Sequence, residues 1–67
     1  MISYKKLWKL LIDRDMGKYE MIKLAGLSPY TLNKLNHNEN VNAETLVKIC
    51  KALNCTFDDI VEIIEND

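Results

Sequence analysis

Glycine and proline are scarce in this 67-residue chain, with two of the first and one of the second. That excludes a collagen-like repeat and leaves no room for a Gly/Pro-rich linker, so residues 1–67 read as one domain. Cysteine is nearly as rare. Cys50 and Cys55 are too few for a disulfide scaffold. The N-terminus, Met1-Ile2-Ser3-Tyr4-Lys5-Lys6, runs into charge rather than into an apolar signal core. The expectation is therefore a cytoplasmic protein with free thiols. Long apolar runs are missing too. The longest is Leu10 to Ile12, where a membrane span takes ~20 residues. There is no Asn-Gly or Asp-Gly turn and no sustained period-two alternation, so no strand pairing is expected. Glycine-rich phosphate loops, HExxH and a Cys/His dyad at interpretable spacing are all absent, which argues against an enzyme. His37 is the lone histidine and the cysteines form no CxxC pair, so neither a metal nor a cofactor is expected.

What is present is helical. The apolar fraction, 48%, is in the globular range and argues against disorder. Apolar residues recur at helical spacing, and the pattern predicts helices over about 3–14, 18–25, 29–37, 43–53 and 57–65. Ser3 is the expected cap of the first. Met21, Leu24 and Ala25 form the apolar side of the second, and Gly26 suits a turn with positive φ. The third has the clearest start: Ser28 as cap and Pro29 at the first helical position, where its missing N–H is harmless. Asn42 caps the fourth and Asn54 ends it. Thr56 opens the fifth with Asp59 three residues on, an acidic form of the capping box. Phe57, Ile60, Val61 and Ile64 make its apolar side. The predicted core is Leu7, Leu10, Met21, Leu32, Leu35, Leu46, Ile49 and Ile60. Trp8 reads as a partly buried edge of that core.

Charge is unevenly spread. Net charge is −1, but residues 1–37 carry +4 and residues 38–67 carry −5. Such a dipole suggests that one face meets a polyanion. The stretch Lys18–Leu35 supplies a reason. It reads as short helix, Gly26, apolar Leu27, the Ser28 cap, then a second helix. Small Ala25 lets two helices approach, Leu27 plugs the gap, and Met21, Leu32 and Leu35 lock the crossing. The outward side of the second helix is left free. This is a helix-turn-helix, spanning about 18–37, whose second helix enters the major groove of DNA.

The segment from Lys18 to Ser28, the segment from Ser28 to Leu35, and Ala43 to Ile60 with its Glu-Thr-Leu, Lys-Ile and Ala-Leu-Asn-Cys pieces agree in order and spacing with one family. The whole chain resembles the small Xre-type transcriptional regulators, relatives of the phage lambda repressor and Cro DNA-binding domains. The resemblance implies a compact all-α, five-helix, lambda repressor-like fold and a sequence-specific double-stranded-DNA-binding regulator, a repressor acting as a homodimer. The chain departs from the family at Lys18, where Gln is usual, at Ile22, where Ala is favoured, and at Pro29, which often carries a base-reading polar side chain.

Base contacts are accordingly expected from Tyr30, Asn33 and Lys34. Asn33 can pair bidentately with adenine, Lys34 can reach guanine acceptors or a phosphate, and Tyr30 can meet a thymine methyl. Phosphate contacts are expected from Lys5, Lys9, Lys18, Ser28, Thr31 and His37. Val61, Ile63 and Ile64 are the expected dimer contact on the fifth helix. No small-molecule ligand or membrane partner is implied. One alternative stays open, a helical protein-interaction module, antitoxin-like or a co-regulator, that has kept the fold without specific DNA binding.

Overall fold

Local capping chemistry sets several of the element ends. The computed structural model describes residues 1–65. The chain runs β1 (Ile2–Ser3), α1 (Lys5–Asp13), α2 (Lys18–Ala25), α3 (Pro29–Asn36), α4 (Ala43–Leu53), a single 3-10 turn (Phe57–Asp59) and β2 (Glu62–Ile63). The Ser28 hydroxyl accepts the Thr31 N–H at 3.3 Å. The Asn42 amide oxygen accepts the Thr45 N–H at 2.8 Å. Both satisfy N–H groups that a first helical turn leaves without partners. Asn54 takes the left-handed conformation, φ 53°, and ends α4. The Arg14 guanidinium donates to the Leu53 carbonyl, a cation at the negative end of α4.

The core lies between α1, α2 and α4, with α2 packing most extensively on α4. Tyr4, Leu7 and Leu11 enter it from the N-terminal segment, Met21, Ile22 and Ala25 from α2, and Leu46, Ile49, Cys50 and Leu53 from α4. Leu32 and Leu35 seal the inner side of α3. Tyr4 also ties the N-terminus to the loop after α3. Its hydroxyl donates to the Glu39 carbonyl at 2.7 Å, and its N–H donates to the Asn38 side chain at 3.2 Å.

The all-α helix-turn-helix expectation holds for four helices; the fifth does not form. Thr56 and Asp59 do make the reciprocal capping box, and those bonds hold the Asp59 carboxyl below the usual carboxylate range. The turn they start lasts only through Asp59. Beyond it, Val61, Ile63 and Ile64 are β-branched and poor helix formers. Glu62–Ile63 instead pairs antiparallel with Ile2–Ser3, in register Ile2↔Ile63 and Ser3↔Glu62. The expected absence of strands is thereby overturned, and Ser3 is a strand residue rather than the helix cap. Its hydroxyl still accepts the Lys5 N–H at 3.2 Å.

Burial also shifts within elements. Leu10 is half-buried, because Leu7 and Leu11, with Tyr4 just before the helix, define the inner side of α1. Leu24 is 57% exposed and Ile22 buried, so the inner side of α2 is Met21, Ile22 and Ala25. Of the proposed stripe in 57–65, Ile60 alone is fully buried; Phe57 and Ile64 are exposed and Val61 half-buried.

Candidate nucleic-acid interface

The α2–α3 connection is built to hold two short helices at a fixed crossing. Gly26 sits at φ 70°, a left-handed conformation that costs glycine nothing. A Cβ there would meet nothing within 4 Å, so backbone conformation rather than space calls for glycine. The next residue closes the turn, with the Leu27 N–H donating to the Ile22 carbonyl at 2.9 Å. The Leu27 side chain packs against the core, as the inter-helix plug should.

On α3, Leu32 and Leu35 are buried. At about 100° per residue, the opposite side carries Tyr30, Asn33, Lys34 and His37. Tyr30 is 71% exposed, Asn33 and His37 are exposed, and Lys34 is half-buried. The Lys34 ammonium lies 5.6 Å from the centre of the Tyr30 ring, so these two side chains form one unit of the surface. His37 ends the helix, and its Nδ1 is 2.7 Å from the Asn33 carbonyl oxygen. A carbonyl only accepts, so Nδ1 is the donor in this contact. His37 thus lies on the same helix side as the expected base readers.

Three expected phosphate residues gather at the edges of this surface. The Ser28 and Thr31 hydroxyls are 3.3 Å apart at the start of α3. Lys18, the first residue of α2, donates to the Asn36 side-chain oxygen at 2.8 Å and lies 4.1 Å from the centre of the Trp8 ring. Neither contact was evident from the sequence. Trp8, Lys18 and Asn36 stand on three helices, and no spacing rule links them. Lys23 lines a shallow apolar cleft with Tyr19, Ile22, Leu27 and Pro29, next to the start of α3. Lys5 is exposed on α1. Lys9 instead lines a groove with Asp13, Asp58 and Asp59. Lys6 forms the one ion pair among the described residues, to Asp58 at 3.9 Å.

Residues 6–66 match the family of Cro/C1-type helix-turn-helix DNA-binding domains. The chain belongs to that family. The crystal structure of the transcriptional regulator VanUg is similar with a TM-score of 0.93 at 52% identity, over 97% of this chain and 87% of that one. No curated protein matches the chain.

In this Cro/C1-type domain the remaining reactive groups lie away from α3. The Cys55 N–H donates to the Cys50 carbonyl at 3.0 Å where α4 ends. Burial, with Cys55 alongside, pushes the Cys50 thiol up to about 11. Both cysteines are free thiols that serve as small packing residues. Among the described residues no group of three or more His, Cys, Asp and Glu could hold a metal ion. No helix there is long and apolar enough to cross a membrane. The expected dimer residues lie on the terminal ribbon: Ile63 on β2 is 78% exposed, Ile64 follows it, and Val61 is half-buried just before it.

Proposed function

We propose that this Cro/C1-type domain is a transcriptional regulator that binds double-stranded DNA in a sequence-specific way and represses as a homodimer. The observation that carries the reading is the outward side of α3, where Tyr30, Asn33 and Lys34 are presented together while Leu32 and Leu35 lock the helix to the body. Tyr30, Asn33 and Lys34 are the base readers in this proposal. Lys5, Lys9, Lys18, Ser28, Thr31 and His37 take phosphates and set the register. The likeness to the transcriptional regulator VanUg supports a regulatory role. Repression follows physically if the bound domain occludes a promoter.

The dimer contact in this proposal is Val61, Ile63 and Ile64, presented on and beside β2 rather than on a helix. The Ile64 N–H donates to the Met1 carbonyl at 2.8 Å. Hydrogen-bonded pairs alternate in an antiparallel ribbon, so the Ile63 main-chain groups face its outer edge. A second copy can pair there and bury Ile63, as open strand edges favour.

Selection of bound sites from random duplex tests the reading. The expected result is enrichment of a two-fold site whose halves lie about one DNA turn, roughly 34–36 Å, apart. Failure to bind any duplex at ~50 mM salt, where phosphate contacts are strong, points instead to the protein-interaction module.

A further inference from the structure

We propose that Trp8 is a positioning residue for Lys18, and that its indole face together with Asn36 holds the Lys18 ammonium ready for one DNA phosphate. The inference rests on the DNA-binding reading above and adds a residue to it.

The cluster joins three helices. Trp8 comes from α1, Lys18 opens α2 and Asn36 closes α3. The ammonium lies 4.1 Å from the Trp8 ring centre and 2.8 Å from the Asn36 side-chain oxygen. Both partners attract a cation without cancelling it: one offers the negative face of a ring, the other an uncharged amide oxygen. A carboxylate in either place would neutralise the lysine and compete with phosphate. An ammonium has three N–H donors. Asn36 takes one and the ring occupies a second direction, which leaves one for an incoming acceptor. Trp8 is itself half-buried and packed against the core, so the platform is rigid. An unrestrained lysine loses rotamer freedom when it binds, whereas this one is already ordered.

Because Trp8 is the only tryptophan, its fluorescence reports on this spot. The experiment titrates a labelled random duplex with the wild-type chain, Trp8→Leu, Trp8→Phe, Lys18→Met and the double variant Trp8→Leu/Lys18→Met, across a salt series. Anisotropy reports binding and tryptophan emission is followed in parallel. Trp8→Leu should weaken binding by about 2- to 10-fold, the cost of ordering one long side chain on binding, with Trp8→Phe recovering part of it. The salt slope should not change, because the phosphate contact survives in Trp8→Leu. Lys18→Met should flatten the slope by about 0.9, one phosphate contact. In the Lys18→Met background, Trp8→Leu should have no further effect. Wild-type emission should change on DNA binding, and the change should be largely lost in Lys18→Met at saturation.

Equal losses from Trp8→Leu in both backgrounds overturn the proposal, since Trp8 would then act through folding alone. So does wild-type emission that ignores DNA while anisotropy shows binding. If Trp8→Leu does not fold, Trp8→Phe carries the same cycle, and the emission comparison needs no Trp8 variant. A wild-type chain that binds no duplex overturns the DNA reading itself, and this inference with it.

Discussion

Asn33 and Lys18 stand at different places on the α2–α3 pair, and removing each separates base reading from docking. Asn33 lies on the exposed side of α3, where a good bidentate contact discriminates by ~1–3 kcal/mol. Asn33→Ala is expected to weaken the preferred site about 5- to 150-fold and to spare random DNA, whose binding rests on phosphates. Lys18→Ala is expected to weaken both nearly equally. A paired titration against selected and scrambled duplex checks this, and equal losses for Asn33→Ala would make Asn33 a docking residue. Cys50 carries a different prediction. Its thiol rises from an ordinary value of 9.0 to about 11 in the fold, so folding favours the protonated form. That contribution is fully present below pH 9.0 and is lost as pH climbs through about 11. Thermal melts across this window should show falling stability, and Cys50→Ala should flatten the fall. An unchanged pH dependence in that variant would remove Cys50 from the account.

The turn between α2 and α3 and the terminal ribbon are the two connections with the clearest consequences. Gly26→Ala forces a Cβ into φ 70°, although the space around it is empty. The expected cost is about 1–2 kcal/mol, from backbone conformation alone. In a domain of this size each kcal/mol lowers the melting temperature by roughly 4–8 °C. Gly26→Asn should cost less, since asparagine tolerates this conformation. A thermal melt in which Ala and Asn behave alike would count against the conformational explanation. On the ribbon, Ile63 is exposed, so Ile63→Asp should leave the helical signal intact and weaken self-association. Sedimentation that finds the wild-type chain monomeric at high concentration would remove the ribbon as a dimer contact.

Over the whole molecule, charge rather than shape sets the first encounter with DNA. The basic excess belongs to residues 1–37 and the acidic excess to the rest. Folding refines that division. Lys6 is paired with Asp58, and Lys9 lines a groove with three carboxylates. Lys5, Lys18, Lys23 and Lys34 form no ion pair among the described residues, and in the proposed complex they are the cations expected near phosphates, Lys34 beside its base contact. Four such contacts per chain predict a slope near −3.6 in log affinity against log salt, at about 0.9 per phosphate contact. Binding measured on random duplex over a range of salt checks this. A slope near zero would mean that the positive half is not the DNA-facing half.

The helix-turn-helix and the helix that follows it were readable in the residues because their determinants are local. Ser28, Pro29, Asn42, Asn54 and Gly26 act within one turn of their own position, and all five are found in the roles that their chemistry implies. The outward side of α3 follows from the same short-range periodicity. The terminal ribbon could not be read this way. Each strand is two residues long, too short for any alternation, and Ile63 finds its partner Ile2 at the other end of the chain. The Thr56–Asp59 box correctly marked a turn, but local capping cannot say how far a helix continues. Packing made that choice, with Ile60 sealed into the core and the β-branched residues beyond it paired as a strand. The Lys18 site has the same origin. A lysine, a tryptophan and an asparagine on three helices meet only when α1, α2 and α3 are brought together, because contacts between distant residues are set by how helices pack and leave no pattern along the chain.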